Sequence, residues 1–288
     1  MKRPLSGPIY ILLAAFFWSL GGVLNKLIPW SGLTIAALRS LIAAITIGIV
    51  RKSFKVRWTR STVMAGIFIL LTTVLYMIAN KLTSAANAIV LQYTTPLHII
   101  VLSLVVFKQK PRKRDLMAIA GVALGIALFF ADQLESGRLL GDVLALGSGM
   151  TFAGVFFSNK LEGASPVDAA FLGNALGIVL LPFLLIDPLF WANQGSLPWI
   201  TIIIMGIFQQ SLGYLLFSKG IRMTSATTSS IIATLEPILN PIWVFLVIGE
   251  TPSLLALTGG AIVLVTVLIY NTIVTRENYS QNLDKKTS

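Results

Sequence analysis

Ten apolar segments, each about as long as a membrane-spanning helix, follow one another along this chain of 288 residues. A helix needs about 20 mostly apolar residues to cross a bilayer. Only 11% of the residues are charged, against roughly 25% in an average soluble domain. The pattern predicts an all-α membrane protein with ten transmembrane helices. We place the spans at 8–28, 33–50, 62–80, 85–107, 115–131, 140–159, 167–186, 199–218, 225–247 and 253–273.

Lysine and arginine are distributed unevenly between the loops that join these spans. If both termini lie in the cytoplasm, most basic residues fall in cytoplasmic loops, and only Lys26, Lys81 and Arg138 lie in loops on the other side. Cytoplasmic loops of membrane proteins carry this excess. We therefore predict a multi-pass protein of the plasma or inner membrane with both termini cytoplasmic and a polar, disordered tail at 274–288. The net charge of +11 follows from this topology, so we expect the lipid bilayer as a partner and no nucleic acid.

One stretch occurs twice in the sequence. Residues 83–96 and 224–237 both begin with Thr-Ser-Ala and end with proline, and Asn-Lys ends both the first and the sixth span. A repeat at constant spacing indicates a duplicated unit, here of five helices at 8–131 and 140–273. Because five is odd, the second unit enters the membrane from the opposite side. Inverted repeats place a substrate site near the membrane midplane, at the interface between the units.

With ten spans in two such units, the chain resembles the drug/metabolite transporter (DMT) superfamily, and its EamA-type branch in particular. The resemblance rests on the aromatic-rich first helix of each unit, which ends in lysine, and on the Ser-Ala…Pro helix that closes with Glu236-Pro237 in the second unit. Thr95 stands in the first unit where Glu236 stands in the second. The resemblance implies a secondary carrier, often an exporter of amino acids or other small metabolites. It also implies a central cavity lined mostly by helices 1, 3, 4, 6, 8 and 9, with helices 5 and 10 outside it.

Polar side chains inside the ninth span indicate a binding site. Glu236, Asn240 and Trp243 have the i, i+4, i+7 spacing of one helix face, and polar groups in hydrocarbon usually face a cavity or a partner helix. Glu236 is the only acidic residue deep in a span, so it is a candidate for ion coupling. The alternative is a structural glutamate bonded to backbone groups. Pro237 and Pro241 interrupt the hydrogen-bond ladder of this helix and are candidate hinges.

The fourth span carries a second polar group. Gln92 and Tyr93 are expected to form hydrogen bonds from the cavity wall, with a helix–helix contact as the alternative. His98, the only histidine, is a second candidate for coupling because histidine titrates near neutral pH; the alternative is a neutral histidine bonded between helices. Pro96 is a further candidate hinge.

Matched faces occur in equivalent helices of the two units. Spans 3 and 8 each carry a polar and aromatic face at i, i+4 spacing, and spans 1 and 6 each carry an aromatic face. Contact with lipid explains such faces poorly, so we expect them to line one cavity. The predicted substrate-binding residues are Trp18, Asn25, Tyr76, Asn80, Gln92, Tyr93, Phe156, Gln210, Tyr214, Asn240 and Trp243.

Two further features of the spans have structural interpretations. Arg39 lies about two turns into the second span, where it could extend outward to water, pair with a carboxylate or bind an anionic group; we prefer a structural role. Gly121 and Gly125 in the fifth span, and Gly259 and Gly260 in the tenth, predict close helix packing. That packing could lie within one chain or between two copies, so a monomer and a homodimer both remain open.

No feature of the sequence supports catalysis. The chain has no cysteine and a single histidine, and it lacks a phosphate-binding loop. We predict no enzyme, no catalytic residue, no cofactor and no metal site. We predict instead a secondary-active transporter, an exporter of small amphipathic metabolites such as aromatic or neutral amino acids, that works by alternating access on a small-molecule substrate. The alternatives are a proton-coupled exporter of drugs or cationic compounds and, from another class, a membrane receptor or assembly protein without transport.

Overall fold

The computed structural model describes residues 7–95, 97–99, 101, 112–133, 138–159, 161–220, 223, 232–233 and 235–287. These residues form helices, turns and loops, and no strand occurs among them. We number the helices α1 Gly7–Leu27, α2 Gly32–Val50, α3 Arg60–Leu82, α4 Ala85–Gln92, α5 Lys113–Gln133, α6 Leu139–Asn159, α7 Pro166–Leu180, α8 Ser196–Gly220, α9 Leu235–Ile248 and α10 Leu254–Thr287.

Six of these helices, α1, α2, α3, α6, α8 and α10, are long and apolar enough to cross a membrane, and α7 and α9 are shorter apolar helices. The predicted all-α membrane architecture is therefore confirmed. The count of ten transmembrane helices and their inverted arrangement stay predictions. The second copy of the repeated stretch falls largely outside the described residues.

The fourth helix is interrupted earlier than a continuous span over 85–107 would be. After Gln92 the chain turns at Tyr93 and Thr94. The hydroxyl of Thr94 donates to the carbonyl oxygen of Leu91 (2.6 Å) and that of Thr95 to the carbonyl oxygen of Gln92 (2.8 Å). Side-chain hydroxyls thus bond to carbonyl groups at the helix break, and the carbonyl oxygen of Leu91 also accepts the backbone N–H of Thr94 (3.2 Å). The predicted hinge Pro96 itself lies outside the described residues.

The C-terminal part of the chain differs from the expectation. The helix α10 continues to Thr287, so the prediction of a disordered tail is wrong. An ion pair between Arg112 and Glu277 (2.9 Å) ties the extended helix to the start of α5. Within the bilayer the two helices approach closely: a Cβ on Gly125 would come within 2.8 Å of the carbonyl oxygen of Gly259. The predicted glycine packing therefore lies within one chain.

Polar contacts show which loops lie together at each end of the helix bundle. At one end Lys26 pairs with Glu250, and the hydroxyl of Thr83 donates to Asp142 at the start of α6 (2.6 Å). At the other end Arg51, after α2, pairs with Asp168 at the start of α7, and the start of α3 contacts the loop that follows α6. Among the described residues, the segments after α1, α3 and α9 therefore meet at one end, and those after α2 and α6 meet at the other.

A buried aspartate ties the loop after α7 to the start of α2. Asp187 Oδ2 accepts hydrogen bonds from Thr34 Oγ1 (2.5 Å) and the Ser31 amide (3.0 Å), and Oδ1 accepts from the amides of Leu189 (3.0 Å) and Phe190 (3.3 Å). Burial disfavours the charge, but the hydrogen bonds from Thr34 and Ser31 outweigh it and hold the pKa of Asp187 below its usual value. This loop is therefore held in place by a charged group.

Candidate functional site

A cavity of about 60 Å³ lies in the middle of the bundle. Side chains from α1, α2, α3, α6, α8 and α9, and from the end of α4, form its wall. No lining residue among those described comes from α5 or α10, as the resemblance implies, whereas α2 is an addition to the expected set. The wall consists of Trp18, Arg39, Thr72, Thr73, Tyr76, Gln92, Tyr93, Phe152, Gln209, Gln210, Tyr214 and Glu236. The first half of the chain supplies seven of these and the second half five.

Aromatic side chains from both halves meet at one side of the cavity. The indole of Trp18 packs edge-on against the ring of Tyr214, with centroids 5.4 Å apart, and lies 5.1 Å from the ring of Phe217. Tyr76 is buried and its hydroxyl accepts a long hydrogen bond from Asn240 Nδ2 (3.4 Å). These rings give the cavity apolar contact area, and the tyrosine hydroxyls add polar groups to it.

A tyrosine–carboxylate contact links the two halves at the cavity. The hydroxyl of Tyr93 donates to Glu236 Oε2 (2.6 Å) and also lies 3.2 Å from the carbonyl oxygen of Ala233. Glu236 is half-buried and belongs to the wall. Its predicted counterpart Thr95 does not: that hydroxyl points to the carbonyl oxygens of Gln92 and Gly149. The two copies of the repeated stretch therefore contribute different chemistry.

An arginine–glutamine contact forms a second link between the halves. Arg39 Nη1 donates to Gln209 Oε1 (3.1 Å), and Arg39 is only 3% exposed. The arginine thus lies on the cavity wall and does not extend to water at the membrane surface, which was one of the interpretations open to the sequence. Over Met205–Leu212 the helix α8 widens to a π-helix, a local form often found at functional sites. Next to Gln209, Gln210 Nε2 donates to Asn174 Oδ1 (3.0 Å).

Six of the eleven predicted binding residues line the cavity, as does the coupling candidate Glu236, and the other five binding residues do not. Asn240 supports Tyr76, as described above. Trp243 Nε1 donates to Ser19 Oγ (3.0 Å), and Asn25 Nδ2 donates to the carbonyl oxygen of Met77 (3.2 Å). These side chains join α1 to α9 and to α3. Their side-chain N–H groups are therefore used in contacts between helices, whereas Asn25 Oδ1 and Asn240 Oδ1 are buried and accept no hydrogen bond from the described residues.

The remaining predicted residues lie farther from the cavity contacts. Asn80 is fully buried in α3, and Phe156 packs edge-on against the cavity residue Phe152, with centroids 5.0 Å apart. His98 is half-buried, with its Nε2 3.3 Å from Thr94 Oγ1, and it is absent from the wall.

The proposed hinge residues of the ninth helix both lie within α9. Pro241 stands in the interior of that helix, and Pro237 is buried. Proline removes one backbone hydrogen bond at its position. Pro241 therefore leaves a weak point in the interior of α9, the helix that carries Glu236.

The chemistry of the wall is that of binding. It combines aromatic rings, hydroxyls, amides, one guanidinium and one carboxylate. In the part of the chain that the structure describes, no group of three histidine, cysteine, aspartate or glutamate side chains is arranged to hold a metal ion.

Comparisons with known proteins agree with this geometry. The model of the EamA-like transporter family matches residues 5–131 and 139–272. An "Uncharacterized transporter" from Archaeoglobus fulgidus is 29% identical over 73% of this chain and 76% of its own length. The "Uncharacterized transporter YwfM" from Bacillus subtilis is 26% identical over 91% of this chain and 92% of its own length.

A solved crystal structure of another protein shares the fold. It superposes with a TM-score of 0.62 at 19% identity and covers 94% of this chain and 98% of its own. The family model matches both halves of the sequence and nearly all of its length. The chain therefore belongs to the EamA-like transporter family and is a multi-pass membrane transporter, not an enzyme.

Proposed function

We propose that this protein is a secondary-active carrier that exports small amphipathic metabolites, amino acids among them, from the cytoplasm by alternating access. The cavity wall carries the proposal, because it is assembled across the two halves of the chain. Tyr93 meets Glu236, and Arg39 meets Gln209. If one half moves relative to the other, both contacts change together and the cavity changes shape.

The proposed topology is ten transmembrane helices in two inverted units, with both termini in the cytoplasm. The meeting of the segments after α1, α3 and α9 at one end of the bundle, and of those after α2 and α6 at the other, supports it. The end at which Arg51 pairs with Asp168 also carries Lys52, Lys55, Arg57 and Arg60, and an excess of basic residues is typical of the cytoplasmic side.

The size of the cavity supports a moving carrier. Sites for small molecules usually have volumes of about 300–1,000 Å³, whereas this cavity measures about 60 Å³. A metabolite enters only if the surrounding helices separate. Pro241 and Pro237 in α9, and Pro96 after α4, are the positions where we expect the backbone to bend.

The binding residues divide into two proposed roles. Gln92, Tyr93 and Gln210 contact the solute from the wall, together with the aromatic rings. A second layer fixes the first, since its members join neighbouring helices or pack behind the wall. This layer consists of Asn25, Phe156, Asn240 and Trp243, and we assign Asn80 to it because that residue is fully buried in α3.

Flux through the purified protein tests the carrier proposal. Proteoliposomes loaded with radiolabelled L-amino acids should lose the label faster than protein-free liposomes loaded with the same amino acids. Tyr214→Ala should slow this efflux, because the ring faces the cavity and packs on Trp18. Trp191→Ala is the matched control, since that aromatic side chain lies in the short helix Pro188–Ala192, is 58% exposed and does not line the cavity. Absence of flux for every amino acid and amine would contradict the proposal.

A second candidate function is a proton-coupled exporter of cationic compounds. The observation that favours it is a carboxylate, Glu236, beside a wall of aromatic rings, an arrangement that attracts organic cations. Here an imposed pH gradient should drive transport of a lipophilic amine, and Glu236→Gln should abolish the gradient dependence. Glu162→Gln, an exposed carboxylate outside the cavity, should leave it intact. Gradient-driven transport that persists in Glu236→Gln would remove Glu236 from coupling.

A further inference from the structure

The cavity wall carries one positive and one negative side chain that do not neutralise each other. Arg39 and Glu236 both line the cavity. Among the residues that the structure describes, neither forms an ion pair with the other or with any third side chain. An isolated charge in hydrocarbon is costly, and such charges usually mark a substrate or ion pathway. Two opposite charges at one cavity therefore need an explanation beyond packing.

The guanidinium of Arg39 is positioned but not neutralised. Its Nη1 donates to a neutral amide oxygen of Gln209 (3.1 Å), and its Nε is buried without a partner. The planar guanidinium presents several donors in a fixed fork that matches a carboxylate. The contact with Gln209 orients the fork, and the charge and remaining donors stay available to an anionic group in the cavity.

The carboxylate of Glu236 is positioned in a corresponding way. Its Oε2 accepts from the hydroxyl of Tyr93 (2.6 Å), whereas Oε1 accepts no hydrogen bond from the described residues. The rings of Trp18, Tyr76 and Tyr214 belong to the same wall. A carboxylate oxygen next to aromatic faces is a suitable environment for an ammonium group.

We infer that the cavity binds a small zwitterion of the amino-acid class, with its carboxylate on Arg39 and its ammonium group on Glu236. Arg39 and Glu236 line the same cavity, so the two charged groups of the solute must be close together in the molecule. The uncharged part of the solute lies against the aromatic side formed by Trp18 and Tyr214. Binding then neutralises both buried charges at once, and a solute with one charge leaves one of them uncompensated. This inference rests on the proposed function.

Three sets of matched probes test the assignment in the full-length protein in detergent. Each set shares one side chain and differs in charge: L-phenylalanine, 2-phenylethylamine and 3-phenylpropionate; L-leucine, isopentylamine and 4-methylpentanoate; L-alanine, ethylamine and propionate. Binding is measured by calorimetry. In at least one set the parent protein should bind the amino acid about tenfold or more tightly than the amine or the acid, as expected when a hydrogen bond to a charged group is lost.

Single substitutions should show which side chain binds which charged group of the solute. Arg39→Gln should weaken binding of the amino acid and the acid about tenfold and leave the amine unchanged, and Glu236→Gln should weaken the amino acid and the amine and leave the acid unchanged. The unaffected probe shows in each case that the variant is folded. Arg60→Gln and Glu162→Gln make the same changes at exposed positions outside the cavity and should alter nothing.

Three outcomes would overturn the inference. The first is equal affinity for the amino acid and its singly charged analogues in every set. The second is an equal loss of affinity for all three probes in Arg39→Gln. The third is an unchanged affinity for the amino acid in either cavity variant. The carrier proposal fails separately, through the absence of flux in proteoliposomes. A protein that moves solutes but shows no charge selectivity would retain its proposed function and lose this site assignment.

Discussion

The ammonium group of Lys26 lies 3.1 Å from a carboxylate oxygen of Glu250, and this ion pair joins the end of α1 to the segment that follows α9. Lys26 Nζ also donates to the carbonyl oxygen of Thr83 (2.8 Å), and Glu250 Oε1 accepts from the backbone amide of Ala85 (2.7 Å). Three helices that contribute to the cavity, α1, α4 and α9, are thereby tied together at one end. A carboxylate at the N-terminus of α4 is also favoured by the helix dipole.

Breaking this contact should favour opening of the cavity toward that end of the bundle. We expect Glu250→Gln to raise the labelling rate of a single Thr73→Cys reporter by about fivefold, the population shift produced by about 1 kcal/mol. The parent chain contains no cysteine, so a membrane-impermeant maleimide reports on that position alone. Lys55→Met, an exposed cation at the other end, is the control. An unchanged rate in Glu250→Gln would mean that the ion pair does not hold this end closed.

The contact between Gly22 and Asn240 sets the distance between α1 and α9. A Cβ on Gly22 would overlap the side-chain amide of Asn240. Gly22→Ala should therefore destabilise the protein by about 1–3 kcal/mol, the usual cost of overpacking. Adding Asn240→Ala should relieve the overlap, so the double variant should be more stable than the sum of the single effects predicts.

Thermal unfolding in detergent, followed by tryptophan fluorescence, measures this coupling. Gly147→Ala provides the matched control, because a Cβ there would lie 3.5 Å from Leu75 Cδ1, an ordinary van der Waals distance. Strictly additive effects of Gly22→Ala and Asn240→Ala would contradict the close approach.

Several cavity residues could be predicted from the sequence because polar groups in apolar spans are few. Gln92, Tyr93 and Glu236 stand out for this reason, and all three line the cavity. Asn25 stands out equally, yet it bonds the carbonyl oxygen of Met77. A cavity and a neighbouring helix satisfy a buried amide equally well, so composition and spacing do not distinguish the two.

Other residues of the cavity wall could not be identified from the sequence, and the physical reasons differ. Helical spacing does not identify Gln209, because the relation between Gln210 and Tyr214 assumes an α-helix, whereas Met205–Leu212 is a π-helix. With that change of pitch, both glutamines reach the wall. The sequence does not show that Arg39 faces the cavity, because its partner Gln209 lies on another helix. Local periodicity cannot report a partner on a distant helix.

The buried carboxylate of Asp187 should make the stability of the protein depend on pH. Its pKa in the folded protein lies below the ordinary value, so the stabilisation is fully present above the ordinary pKa of about 3.9 and is lost as the pH falls through the folded pKa. Asp187→Asn should lower stability at pH 7 by about 1–3 kcal/mol, because an amide nitrogen cannot accept the hydrogen bonds of Ser31 and Thr34.

Thermal unfolding of the parent and Asp187→Asn across a pH series tests this prediction. The difference in stability between the two proteins should be largest near neutral pH and should become smaller as the pH is lowered. Glu162→Gln, at an exposed position, should show no such difference. A difference in stability between the parent and Asp187→Asn that increases toward low pH would contradict a lowered pKa of Asp187.

The orientation in the membrane is open to direct measurement, because single cysteines can be introduced into a cysteine-free chain. Gly195 and Lys55 are exposed and lie in loops at opposite ends of the bundle. The second of these loops also carries Arg51 and Lys52, so the positive-inside rule assigns it to the cytoplasm. In intact cells, an impermeant maleimide should label the Gly195→Cys variant and should label Lys55→Cys only after permeabilisation, with the parent as background. The reverse pattern would place both termini outside, and labelling of both variants in intact cells would contradict an arrangement in which these loops lie on opposite sides.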